Sequence, residues 1–236
     1  MPKFSSFNAF GSESYEIGQS HIPVWLGVVT PVPVGGTLAK AYAQKGLRLG
    51  AGYPINLASK ELTPFVGFEV VAFTAGDGTS VTTDSIILKA AVLGGVSIVP
   101  AVGDVIQKLG STFAATGKAA VVTAVDLLTT GDNKGCYEVK VAHSATVDTP
   151  SAGDIITFSA ATEAGSDKSI AVQPNGYLYN DIYFGELSGD ADSYTLAATG
   201  AVVKFHSEGL LVELTESALV KDQMAAAVPG VLQVNV

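Results

Sequence analysis

Apolar and polar positions along this chain fall into short β-branched runs separated by turn residues. The clearest runs are Ile22-Pro23-Val24-Trp25-Leu26-Gly27-Val28-Val29, Gly67-Phe68-Glu69-Val70-Val71-Ala72-Phe73, Ala119-Ala120-Val121-Val122-Thr123-Ala124-Val125 and Cys136-Tyr137-Glu138-Val139-Lys140-Val141. Between such runs stand Gly76-Asp77-Gly78, Gly131-Asp132-Asn133-Lys134-Gly135 and Pro174-Asn175-Gly176, whose Asp-Gly and Asn-Gly steps accept the positive φ of tight hairpins. Many short strands at this spacing predict an all-β sandwich or barrel. A doubly wound α/β fold would need amphipathic helices between the strands, and the pattern has none there. One helix is predicted, over 216–227, with Thr215 as its cap, Glu216 near its positive end and Pro229 as its stop. It would cover an open sheet end through Leu219, Met224 and Ala226 or Ala227.

A weak repeat divides the chain further. Pro100-Ala101-Val102-Gly103-Asp104-Val105-Ile106 recurs as Pro150-Ser151-Ala152-Gly153-Asp154-Ile155-Ile156, with a shorter relative at Pro33-Val34-Gly35-Gly36-Thr37-Leu38. Pro followed by Gly-Asp before alternating apolar residues reads as a turn leading into a strand. Two good copies are too few for a solenoid, so the pair is expected to form two edges of one small barrel. The resulting fold class is mainly β: two small sandwich- or barrel-like domains, one inserted in the other, plus a short C-terminal helix. The expected units are an N-terminal arm at 1–22, a discontinuous outer β domain at 23–83 and 167–236, and an inserted barrel-like domain at 84–166.

Composition narrows the partners. The 236 residues carry 13 basic and 22 acidic side chains, a formal charge of −9, and Arg48 is the one arginine. No Lys/Arg cluster is available to neutralise phosphates, so no nucleic-acid partner is expected. The longest apolar run, 86–102, is interrupted by Lys89, Gly94, Gly95 and Pro100, and no membrane partner is expected either. The first residues lack the apolar core of a signal peptide. Cys136 stands alone, which excludes an intramolecular disulfide and a cysteine-based zinc site.

The search for chemistry finds no catalytic motif. His21, His143 and His206 are scattered, outside any His-Glu-x-x-His spacing, and no Gly-x-Ser-x-Gly elbow, phosphate loop or dinucleotide fingerprint is present. Cys136 has no activating histidine nearby in sequence and suits a small buried apolar role. Asp77-Gly78-Thr79-Ser80 and Asp190-Ala191-Asp192-Ser193 could offer oxygens to Ca²⁺, yet neither has the spacing of an EF-hand loop. The expectation is a protein that is not an enzyme, with no catalytic residues, no metal and no cofactor.

Two aromatic groups are the candidate contact residues. Phe4, Phe7 and Phe10 recur every third residue among small and polar neighbours, suiting an arm that docks on a neighbouring subunit or a capsid, or else a frayed terminus. Tyr177, Tyr179 and Tyr183 follow the Pro174-Asn175-Gly176 turn, and strand alternation puts them on one face. That face would meet a partner or a sugar, or pack across strands inside the sheet.

Several stretches also carry a family resemblance. Val34-Gly35-Gly36-Thr37-Leu38 followed by Leu49-Gly50-Ala51-Gly52-Tyr53-Pro54-Ile55-Asn56-Leu57 resembles strand pairs of phage capsid-decorating proteins. Pro174-Asn175-Gly176-Tyr177-Leu178-Tyr179-Asn180-Asp181 is similar to the head fiber proteins of tailed bacteriophages. So are Glu208-Gly209-Leu210-Leu211-Val212-Glu213-Leu214-Thr215 and Val228-Pro229-Gly230-Val231-Leu232-Gln233. The resemblance covers roughly 23–66 and 168–236 and leaves the centre unexplained. It implies a non-enzymatic virion protein on the outer capsid surface, a homo-oligomer whose partner is the major capsid protein. A carbohydrate-binding β module, with the tyrosines as platform, and a β-rich hydrolase with unrecognised carboxylates remain the alternatives.

Overall fold

The structure, a computed structural model, describes residues 36–42, 44, 46–93, 96–143, 148–179, 182–183, 199–200, 202–203, 209–212, 218–229 and 231–234. Its first elements are β1 (Gly36–Leu38), β2 (Arg48–Leu49), β3 (Pro54–Ala58) and β4 (Glu61–Pro64). There follow β5 (Gly67–Thr74), β6 (Thr83–Leu88), β7 (Ala91–Leu93), β8 (Val96–Ile98) and β9 (Val105–Lys108). Next come β10 (Gly117–Lys118), β11 (Ala120–Leu127), β12 (Tyr137–Ala142), β13 (Ile155–Phe158) and β14 (Asp167–Lys168). The last elements are β15 (Gly176–Leu178), β16 (Ile182–Tyr183), β17 (Thr199–Gly200), β18 (Val202–Val203), β19 (Gly209–Val212), α1 (Ala218–Ala227) and β20 (Val231–Val234). The chain is mainly β, as its pattern predicts.

Six strands close into a barrel in the order β11-β12-β6-β5-β13-β9, and every neighbouring pair is antiparallel. Closure satisfies the backbone donors and acceptors that an open sheet would leave on its edges. The barrel strands run from 67 to 158. The sequence boundary at 84 is therefore corrected: β5, assigned to the outer domain, is a barrel strand, because its alternating Phe68 and Val70 side chains point into the closed core.

The repeat marks an internal pseudo-twofold. β5, β6 and β9 correspond to β11, β12 and β13. In the β6–β12 pair Ile86 faces Val139, flanked by Ser85 with Lys140 and Ile87 with Glu138. In the β9–β13 pair Gln107 faces Thr157, flanked by Ile106 with Phe158 and Lys108 with Ile156. Both long strands break register at corresponding residues, after Val70 and after Val122. The turns match bond for bond. The Asp104 carboxylate accepts from the Ala101 amide at 2.7 Å, and Asp154 from the Ser151 amide at 2.6 Å. Gly103 donates to the Val122 carbonyl at 2.9 Å, and Gly153 to that of Val70 at 2.8 Å. These glycines have φ of 95° and 88°, a region that disfavours any residue with a Cβ.

A second sheet, β17-β1-β4-β3-β15-β18, is formed by the flanks, with β1 and β4 parallel. The β3–β4 hairpin turns through Ser59 and Lys60, both at positive φ (50° and 68°), the geometry of a two-residue hairpin turn of the mirror-image kind. Gly36 lies against this hairpin. A Cβ there would stand 2.7 Å from Leu57 Cδ1 and 2.9 Å from the Lys60 carbonyl oxygen. Sheet and barrel share one core: Leu38, Ile55 and Leu62 of the sheet join Phe68, Ile86, Val139 and Ile156 of the barrel in a single buried cluster. The flanks thus pack directly on the barrel.

A second cluster lies under α1, which buries Val220, Gln223, Met224 and Val228, the i, i+3, i+4, i+8 spacing of one helical face. Met224 is inside as expected, but Ala225, Ala226 and Ala227 are exposed. Gln223 takes an inner position because its Nε2 donates to the Gly110 carbonyl at 2.7 Å. β19 and β20, on either side of this helix, pair in parallel, a β-α-β connection that the pattern of the sequence did not predict.

Candidate binding recess

Asn56 of β3 and Thr63 of β4 face each other across the hairpin, so alternation sends both side chains to the same side of the sheet. Over that side runs the segment that carries the chain from barrel to sheet. Ala171 donates to the Phe158 carbonyl at 2.8 Å at the barrel end, and Asn175 donates to the Ile55 carbonyl at 3.0 Å at the sheet end. Between them Asn56, Thr63, Ala171, Val172 and Gln173 line an open recess of about 310 Å³. Asn56 Nδ2 donates to the Gln173 carbonyl and fixes one wall.

Asn175 supports the recess from behind. Its side-chain oxygen accepts from the Leu57 amide at 2.9 Å while its Nδ2 donates to the Leu57 carbonyl at 3.2 Å, so the amide pairs with β3 as a strand residue would. The expected hairpin at Pro174-Asn175-Gly176 is corrected: these residues lead into β15, and neither Asn175 nor Gly176 has positive φ.

The tyrosines are divided. Tyr177 is 1% exposed, inside the cluster under α1, so its ring supplies cross-strand and helix packing. Tyr179 is half-buried against the same cluster. Tyr183 is in β16, and its side chain lies outside the description, as do Phe4, Phe7, Phe10, His21, His206 and residues 190–193. The three tyrosines do not share one strand: β15 ends at Leu178, before Tyr179, and Tyr183 belongs to β16, which pairs with β2. Cys136 is half-buried at the end of the β11–β12 turn.

Charged groups serve the loops. His143 Nδ1 lies 2.7 Å from Asp84 Oδ1, the same oxygen that accepts from the Gly76 amide at 2.8 Å, and this fastens the β5–β6 loop to the end of β12. Asp77 Oδ1 accepts from the Val81 and Thr79 amides at 2.8 Å each, which lowers its pKa to about 2. The Asp77-Gly78-Thr79-Ser80 stretch thus uses its carboxylate inside its own turn. Burial pushes the Asp154 carboxyl up, but Lys108 at 2.8 Å and the Ser151 amide outweigh it and hold it below the usual carboxylate value. Burial also raises the Tyr53 hydroxyl, which donates to the Phe65 carbonyl at 2.6 Å. Among the described residues no three His, Cys, Asp or Glu side chains gather into a metal-holding group, and no helix is long and apolar enough to cross a membrane.

The sequence reading did not single out Asn56, Thr63 or Gln173. Asn56 inside the otherwise apolar Pro54-Ile55-Asn56-Leu57-Ala58 was the available signal, and it needed the hairpin register with Thr63 to become a site. Comparison of the chain with protein-family models, with curated proteins and with solved structures finds no match.

Proposed function

We propose that this protein is a non-enzymatic structural component of a virus particle, attached to the outer capsid surface as decoration or head fiber and acting as a homo-oligomer. The observation that carries the reading is the continuous core shared by a closed barrel and the flanking sheet, which makes a stiff body suited to display on a particle. The stretches that resemble phage head proteins support it further, since they are distant in sequence yet pair in one sheet, Gly176 with Ile55 and Tyr177 with Pro54. In this reading the arm at 1–22 docks Phe4, Phe7 and Phe10 on the major capsid protein or a neighbouring subunit. Three rings burying about 150–250 Å² each at about 25 cal/mol per Å² gain about 11–19 kcal/mol, enough to offset the ordering of the short stretch from Phe4 to Phe10 at about 1–2 kcal/mol per residue.

The test is electron microscopy of particles assembled from the capsid protein with and without this chain, together with its mass in solution. Added density on the capsid exterior and an oligomeric mass are expected. Deleting residues 2–12 should abolish attachment while the folded part survives. A monomer that leaves particles bare would overturn the reading.

A further inference from the structure

The recess between the β3–β4 hairpin and residues 171–173 has a chemistry that the structural role does not use. We propose that it binds a single sugar residue, an uncharged polyhydroxylated ring. This goes beyond the capsid reading and stands or falls separately from it.

Four observations carry the assignment. The lining offers two amides and a hydroxyl, Asn56, Gln173 and Thr63, and no charged side chain, so the ligand is neutral and hydrogen-bonding. All three are half-buried, and the Thr63 hydroxyl and Gln173 side-chain amide make no hydrogen bond with any other described residue. Amides and hydroxyls both donate and accept, which matches hydroxyl groups that do the same. Val172 and Ala171 add an apolar strip, and a pyranose ring presents such a C–H face beside its hydroxyl rim. The volume of about 310 Å³ lies at the small end of the range for ligand sites and suits one ring.

The floor is pre-formed. Asn56 is held by the Gln173 carbonyl, and Asn175 locks the following residues to β3, so a ligand meets fixed partners with little ordering left to lose. A ligand of about a dozen non-hydrogen atoms in an open polar site binds with a dissociation constant of about 1 mM. Affinity of this size is that of a single weak contact, and any multi-copy display of the site would multiply it by avidity without changing the site itself.

The experiment uses the ¹⁵N-labelled full chain titrated with D-glucose, D-galactose and N-acetyl-D-glucosamine in turn. With at least one of them, the amide signals of Asn56 and Gln173 and the backbone signals of 171–173 should shift saturably. Gln173→Ala and Thr63→Val should each weaken that binding about threefold to tenfold and leave the rest of the spectrum in place. Asn56 is left intact because it holds the wall. No saturable shift with any of the three sugars would overturn the proposal. So would shifts that persist unchanged in the Gln173→Ala/Thr63→Val double variant, or shifts produced by trialanine and by none of the sugars, which would assign the recess to a peptide.

Discussion

The two halves of the barrel, 67–108 and 120–158, share the pairing of their barrel strands and the bonds of their Gly-Asp turns but differ in side chains. Leu109 donates to the Ile155 carbonyl and Ser159 to that of Val105, so even the bonds beyond the strand ends repeat. The side chains at corresponding places have diverged. Phe68 packs edge-to-face on Phe158 with ring centres 5.4 Å apart. At the corresponding place in the other half stand Ala120 and Lys108, and Lys108 turns instead to Asp154. One crossing is stabilised by packing and its counterpart by a charge pair. What the halves preserve is therefore backbone geometry, enforced by two Gly-Asp turns, while the filling of the core was free to differ.

This comparison can be broken at its aromatic side first. Phe68→Ala should destabilise the protein by about 3–5 kcal/mol in a denaturant titration, whereas the matching Ala120→Gly should cost about 1 kcal/mol or less. Equal losses would mean that the core does not distinguish the halves. The charged side comes next. Asp104→Ala and Asp154→Ala both remove a carboxylate bond to a turn amide, worth about 1 kcal/mol, but Asp154→Ala should cost about 1 kcal/mol more because Lys108 also loses its partner.

Acid should reveal the same asymmetry. The Asp154 pKa is depressed in the fold, so its stabilising contribution is complete above the unfolded carboxylate value of about 3.9 and is lost as pH falls through the folded value. Asp77 behaves likewise between 3.8 and about 2. An Asp154→Asn variant should therefore lose less stability than the parent when unfolding is followed from pH 5 downward. The smallest effect tests the sameness directly. Gly103→Ala and Gly153→Ala should cost about 1 kcal/mol each and equally, because both have positive φ and neither new Cβ would meet another atom within 4 Å.

The strand content and the Gly-Asp repeat were legible in the sequence because each depends on local chemistry: period-two alternation, and a turn closed by its own aspartate. The β11–β12 turn was legible for the same reason, with Gly131 and Gly135 both at positive φ. What failed needed partners far along the chain. Asn175 looks like a turn residue until β3 supplies the Leu57 amide and carbonyl that its side chain pairs with. For Tyr177 the sequence left both a contact face and packing inside the sheet open, and it took the cluster shared with α1, beginning some forty residues later, to decide for packing. The domain boundary at 84 separated β5 from the barrel because its pairing with β13 spans more than eighty residues. The recess escaped notice because its polar residues come from three separate places and are ordinary in each.

The pairing order has a consequence for how the chain can be cut. β9 belongs to the first half yet pairs only with β11 and β13, and β13 belongs to the second half yet pairs only with β5 and β9. Each half thus lends its last strand to the other, as in a swapped dimer joined into one polypeptide. The connection at 110–116 is largely exposed, with Phe113 its buried anchor. A protease nick there would separate the covalent chain without releasing the pieces, which remain interlocked by the four barrel ladders β6–β12, β5–β13, β9–β13 and β9–β11. On the ribosome the same arrangement has the opposite effect: the first half cannot complete its barrel until the second has emerged.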